Sequence, residues 1–401
     1  MIKEGTEIYR PTAAAVQTQP LSGAWWAVVA RFLVHGLVTS TWLSRIPAIQ
    51  ASLHLSNGTL GLALLGAAIG SLTGIPVCGW LLHRYGSSKI TNWTAVAFCL
   101  ALTLPGLAFN AFTLFLALVV YGAAAGANDV AMNSQGVAVE NALGKPTMSR
   151  FHAMFSIGGM IGAALGGAVA AHHIEPAPHL VGGSLVCLCI TLFTAPLMLE
   201  IHEPQAGVAH RLPLRSIPPV LLAICAVGFC MFLSEGAMAD WIAVYLKQVL
   251  RAGQGLAATG YAVFSAGMAI FRLLGDAITA RLGPARTVRT GALVAALGLA
   301  LALLMPSPYW ALPGFAASGA GFSVIIPLIF AAGGRVPSVS RGAGIATVGG
   351  IGYLGFLFGP PSIGFISQLS SLRYALFLIV ALTLFAAWLS GQMQKLGRNE
   401  T

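Results

Sequence analysis

Asp129 and Asn133 stand four residues apart in GANDVAMNSQG (126–136), inside a stretch from Phe112 to about Val139 that is otherwise apolar. On a helix that spacing puts both side chains on one face. A carboxylate there can take up and release a proton, and an amide can hydrogen-bond a polar solute. Arg31 and His35, and Arg272 and Asp276, repeat this spacing in other apolar stretches, and a further stretch holds Glu235 and Asp240, which are five apart and do not share a face. A charge at the centre of a bilayer costs roughly 2.5–3.5 kcal/mol on insertion scales, so such residues face protein or water and mark ion or solute pathways. The alternative for each is polar glue between helices, with no ligand.

The stretches that hold these residues are membrane spans. Of 401 residues, 57% are hydrophobic and only 8% are charged, against about 25% charged in soluble proteins. Mean hydropathy is +0.83. A helix needs about 20 mostly apolar residues to cross the hydrocarbon. Twelve stretches qualify, at roughly 24–45, 58–82, 90–109, 112–139, 150–171, 180–199, 217–245, 257–280, 288–306, 309–333, 342–367 and 373–393. The polar start, with Lys3, Glu4, Glu7 and Arg10, does not read as a signal peptide. The six cysteines, among them the close pair Cys187 and Cys189, all fall in spans and read as small apolar residues.

The net charge of +10 is unevenly placed. With the N-terminus in the cytoplasm, fifteen Lys and Arg fall on that side and four outside: Arg45, Lys247, Arg251 and Arg373. Arg31 and Arg272 lie within spans. This is the positive-inside bias of a multi-pass protein of a bacterial inner membrane, with both termini cytoplasmic. It accounts for the charge without a nucleic-acid partner.

Two halves follow. GWLLHRYGSSK (79–89) after span two parallels GDAITARLGPAR (275–286) after span eight, with Gly86 on Gly283, Arg84 on Arg281 and Lys89 on Arg286. TSTWL (39–43) parallels MADWI (238–242), so Trp42 and Trp241 are repeat-related. The expected organisation is a tail (1–22), a six-helix bundle (23–199), a linker (200–216), a second six-helix bundle (217–394) and a tail (395–401). Parallel halves of six spans with a mid-bilayer site between them are a known transporter plan.

The paired loops resemble the signature G-x-x-x-D-R-x-G-R-R of the major facilitator superfamily, although His83 stands where an aspartate is usual. TWLSRIPAIQ, GANDVAMNSQGVAVE, RFHAMFSIGGMIGA and SEGAMADW resemble its fucose-permease-like branch, in particular the MosC- and YbjJ-type bacterial members. The resemblance implies an all-α integral membrane protein of twelve transmembrane helices in two pseudo-symmetric bundles. It puts a proton-coupling carboxylate at Asp129 and a sugar-type hydrogen-bonding amide at Asn133; Glu235, as a carboxylate deep in span seven, is the second candidate for proton coupling. Arg31, His35, Trp42, Trp241 and Tyr353 are further candidate substrate contacts. For His35 a satisfied core histidine, and for the tryptophans an interfacial belt, remain alternatives. The depths of Arg31 and Asp129 permit a charge pair. Arg84, Lys89, Arg272, Asp276, Arg281 and Arg286 form the expected inner gate, and Asp240 an outer-gate residue.

GIGYLG (350–355) matches a dinucleotide fingerprint by chance, since it lies within an apolar span. It reads, with GAAIGSLTG (66–74) and GGMIGAALGG (158–167), as a strip for close helix packing. No phosphate-binding G-x-x-x-x-G-K-[ST] occurs, so the proton gradient is the expected energy source, without a cofactor. HHIEPAPH (172–179) reads as a solvated loop and no metal is expected. No catalytic set is present, so the chain is not an enzyme. The expected activity is proton-coupled symport of a small polar solute, sugar- or cyclitol-like, by a monomer in the bilayer. GGMIGAALGG and GFLFGPPSIG (355–364) also resemble an antiporter motif, so proton-driven efflux stands as the alternative, with a transport-inactive receptor as a third reading.

Overall fold

The computed structural model describes residues 21–200, 216–337 and 339–399, with side chains of the last helix described to Gly391. Most of the expected N-terminal tail and linker therefore lie outside the described residues. The described chain forms fourteen α-helices and no strand. The first half comprises α1 (Leu21–Leu43), α2 (Ile46–Ser52), α3 (Asn57–Tyr85), α4 (Ser87–Ala101), α5 (Ala111–Leu143), α6 (Met148–Ala171) and α7 (Pro176–Thr194). The second comprises α8 (Pro219–Gln248), α9 (Gln254–Leu282), α10 (Pro284–Leu304), α11 (Pro308–Phe322), α12 (Ile325–Gly333), α13 (Arg341–Leu369) and α14 (Leu372–Asn399). Short α2 continues the first span and α12 the tenth, so twelve helical segments are long and apolar enough to cross a membrane. The helix of α14 runs to Asn399, into the expected tail. The residues there, QMQKL, are good helix formers.

Local chemistry sets the helix ends. Ser56 accepts from the Thr59 N–H to cap α3, and Asn110 with Thr113 forms a capping box on α5. The repeat-related glycines share one backbone state: Gly86 has φ 85° and ψ 157°, and Gly283 has φ 78° and ψ 155°. Residues with a Cβ avoid this region. The same tight turn thus joins α3 to α4 and α9 to α10, as their alignment in the sequence requires.

Between helices of apolar surface there is little hydrophobic drive in lipid, so close van der Waals approach holds them. Gly66, Gly70 and Gly74 lie against the α5 carbonyls of Phe115, Val119 and Ala123. Gly158 lies against the Leu33 carbonyl of α1, and Gly355 against the Phe229 carbonyl of α8. A Cβ at any of these would collide with backbone. Across the halves, α6 packs on α9 and α3 on α13.

The molecule has a basic end, where the Arg84 and Arg281 loops lie, and a far end. At the far end Gln248 of α8 donates to Gln50 (3.0 Å), Asn57 donates to Gln248 (3.1 Å), and Gln50 donates to Asn57 (2.8 Å). Gln368 of α13 donates to Ser56 at 2.7 Å. Gly58, Gly61 and Gly364 bring α3 and α13 together at the same end. These neutral side chains close the far end. At the basic end the Arg84 and Arg281 loops make no ion pair across the halves among the described residues.

Candidate functional site

Four helices bring titratable groups to the space between the halves. From α5, Asp129 is half-buried, and Asn133 one turn on donates to its backbone carbonyl (2.8 Å) and its carboxylate (3.2 Å). Asp129 and Asn133 are thus one unit. On α13 the ring of Tyr353 packs on Phe232 at 5.2 Å and near Phe356 at 5.9 Å.

From α8, Glu235 is paired with Arg272 of α9 at 3.8 Å. The second oxygen of Glu235 is buried without a partner. Arg272 also donates to Ser156 Oγ (2.8 Å) and to the His152 carbonyl (3.3 Å), both on α6 of the other half, and to the Ser323 carbonyl (3.2 Å). Its guanidinium lies over the Phe155 ring at 5.9 Å. One side chain therefore joins a carboxylate of its own half to the facing helix of the other. The expected gate placed Arg272 with Asp276. The structure separates them: Arg272 is ten residues from the end of α9, or ~15 Å inside the bundle, whereas Asp276 is exposed and accepts from Ser149 at 3.4 Å.

Other expectations are corrected. Arg31 is 1% exposed and turns to α4 and α7, donating to Asn92 Oδ1 (2.5 Å) and the Thr191 carbonyl (3.0 Å). It makes neither the Asp129 pair nor a cavity contact, because its face of α1 points into the first bundle. Trp42 and Trp241 are 2% and 0% exposed. They are core residues, neither free to stack on a solute nor part of a lipid belt. His35 is also core: Asn128 donates to its Nδ1 at 2.9 Å, and Phe98 and Phe155 flank the ring. Arg84, Lys89, Arg281 and Arg286 are exposed at the basic end. Arg84 lies over Trp80 and Tyr85 of its own helix, 5.5 Å from each ring. Asp240 is half-buried on α8, with no hydrogen bond or ion pair among the described residues.

Residue-by-residue reading missed His152, Ser156 and the far-end amides Gln50, Asn57, Gln248 and Gln368. His152 and Ser156 fall in RFHAMFSIGGMIGA, a stretch that stood out without a role. The amides left only a weak signal, as polar groups at the ends of four spans.

Two helical halves, with carboxylates and one bridging arginine between them, define the class of secondary membrane transporters. The chain belongs to the major facilitator superfamily, whose family model matches residues 27–337. It is 37% identical to an uncharacterised MFS-type transporter of Yersinia pestis over 89% of this chain and 92% of that one. It is 31% identical to the membrane protein MosC of Rhizobium meliloti, over 90% of this chain and 88% of that one. The fold matches a mutant form of the nucleoside transporter NupG with TM-score 0.76 at 12% identity, covering 92% of this chain and 99% of the other. It also matches a bacterial homologue of the human lysosomal transporter Spinster, in an inward-facing, unoccupied conformation, with TM-score 0.72 at 16% identity over 94% and 97% of the two chains. These two structures speak for the fold alone. The chain is a multi-pass membrane transporter and not an enzyme.

Proposed function

We propose that this transporter is a proton-coupled symporter of a small polar solute, sugar- or cyclitol-like, in a bacterial inner membrane. The observation that carries the reading is the placement of Asp129 and Glu235. They come from opposite halves and neither is spent on a static pair of full strength: among the described residues Asp129 is hydrogen-bonded by Asn133 alone, and Glu235 shares Arg272 with α6. Carboxylates that can gain and lose protons between two cavity states are what coupling requires. The charge bias makes the basic end cytoplasmic, so closure at the far end corresponds to an inward-facing state. The protein works as a monomer, driven by the proton gradient with no cofactor. Efflux by antiport is the second reading, favoured by the small-residue packing of GGMIGAALGG in α6 against α1 and α9.

The test uses proteoliposomes. Asp129→Asn mimics the protonated carboxylate, so it should retain substrate counterflow and lose accumulation driven by a pH gradient. Glu235→Gln is compared in the same assay. If Asp129→Asn still concentrates substrate like the parent, Asp129 is not the coupling group. A gradient that drives solute out of the vesicle interior in exchange for protons would establish the efflux reading.

A further inference from the structure

Two half-open cavities lie at the basic end, and each is lined by residues of one half alone. The first, about 380 Å³, lies where the start of α1 meets the end of α5 and the loop into α6. Its apolar walls include Trp25, Leu143 and Pro146, and Trp26, Lys145 and Arg150 line it as well. The second, about 350 Å³, lies between α12 and the start of α13, with Phe330 and Ile345 beside Arg335 and Arg341. Lys145 and Arg150 stand at the turn between the fourth and fifth spans, and Arg335 and Arg341 at the turn between the tenth and eleventh. The two halves thus carry the same feature at the same loop, a hollow with apolar walls and two cations.

All four cations are exposed, and among the described residues none has an ion pair. Neither 141–150 nor 330–345 contains an Asp or Glu. Glu140, just before the first loop, accepts from the Thr147 and Met148 N–H groups at 2.5 and 2.8 Å and so is turned to the start of α6. Trp25 meets Trp26 edge-on at 4.6 Å. Trp26 is 62% exposed, which sets its ring on the outside of the bundle, as tryptophans stand at a membrane–water boundary.

The two parts of each cavity select its occupant. Unpaired cations favour an anion, and apolar walls favour hydrocarbon. A free phosphate gains nothing from Leu143 and Pro146. A cargo in transit belongs between the halves, whereas each cavity lies within one. Residues 1–20 of the chain itself hold Lys3 and Arg10 against Glu4 and Glu7 and offer no net negative charge. An anionic phospholipid has both parts, with the charge at the boundary and the acyl chain just inside it. Basic pockets between helices on the cytoplasmic side bind such headgroups, and each Lys or Arg near the surface is worth about fivefold in affinity.

We propose that the cavity at Lys145 and Arg150 binds the headgroup of an anionic phospholipid, with the acyl chain along Trp25 and Leu143, and that the cavity at Arg335 and Arg341 is its repeat-related counterpart. Such lipid sites are independent of which solute is carried and in which direction.

Native mass spectrometry of the whole, purified protein tests this. Phosphatidylglycerol and phosphatidylcholine with identical acyl chains are offered at equal concentration, and the retained lipids are counted. The parent is expected to keep phosphatidylglycerol several-fold better. Lys145→Gln combined with Arg150→Gln should lose one such lipid, and adding Arg335→Gln and Arg341→Gln should lose the second. Lys247→Gln with Arg251→Gln removes the same charge as the first pair from the far end and should retain as much as the parent. Equal retention of the two lipids by the parent overturns the proposal, and so does an equal loss in the two double variants. Glycerol phosphate at the lipid's concentration should not displace it; displacement would make the cavity a site for free phosphate. A short cross-link from Lys3 to Lys145 that persists in saturating phosphatidylglycerol would give the cavity to the N-terminal residues and exclude the lipid.

Discussion

Arg272 hydrogen-bonds Ser156 at 2.8 Å, and the two residues belong to opposite halves of the transporter. The same guanidinium is 3.8 Å from Glu235 in its own half. A rocking motion that draws α6 away from α9 at this level takes Ser156 and the His152 carbonyl from Arg272 and leaves Glu235 as its chief partner. Pairing strengthens the charged form of a carboxylate. Conformation and protonation of Glu235 are thereby linked, and the linkage is reciprocal.

Ser156→Ala tests this link. A hydrogen bond to a charged group is worth about 1.5–3 kcal/mol, so its loss should shift the population toward states with α6 and α9 apart at the basic end. The pH midpoint of gradient-driven uptake should move with it, while Ser156→Thr, which keeps the hydroxyl, should stay near the parent. A lower melting temperature with an unmoved pH profile would reduce Ser156 to a packing role.

Far-end closure depends on Gln248, which bonds both Gln50 and Asn57. Each such bond is worth about 0.5–1.5 kcal/mol net, so Gln248→Ala should loosen the far end by about 1–3 kcal/mol. Spin-label distances between α2 and the end of α8 should lengthen in a larger share of molecules than in the parent. Identical distance distributions would show that the glycine contacts of α3 and α13 close this end without the amides.

Asp276 is exposed and among the described residues is bonded by Ser149 alone in this state, so any latch it makes belongs to the opposite state. Asp276→Asn should therefore leave the far-closed structure intact and enrich it. Labels on the basic-end loops should report shorter separations in the parent than in the variant. A variant enriched in the far-open state would reverse the assignment.

Gly86 and Gly283 share a backbone region nearly closed to other residues. Gly86→Ala and Gly283→Ala should each cost about 1–3 kcal/mol. No neighbour lies within 4 Å of a Cβ built at Gly283, so strain rather than collision would be the cause. Melting temperatures in detergent check this, with Gly342→Ala, also in open space and within a helix, as the tolerant control.

Much of the fold was legible because its causes are local. Apolar length marks the twelve spans, and a paired loop marks the repeat. Small residues in GAAIGSLTG announce a close contact whatever their partner is. Asp129 with Asn133 was legible for the same reason, since four residues on one helix are neighbours before any packing occurs.

What the sequence could not decide was which way each helix turns and which helix it meets. Depth along a span follows from residue number, and by depth alone Arg31 and Asp129 could pair. Azimuth follows from packing, and packing sends Arg31 to Asn92 and Thr191 instead. The same rule buries Trp42 and Trp241, which looked suited to a lipid interface or a solute. It also carries Arg272 past Asp276 to Glu235 and Ser156, residues 37 and 116 positions away in the chain. A pair of this kind exists only when two bundles are set face to face. Its energy depends on distance and exclusion of water between helices, which no single stretch of residues contains.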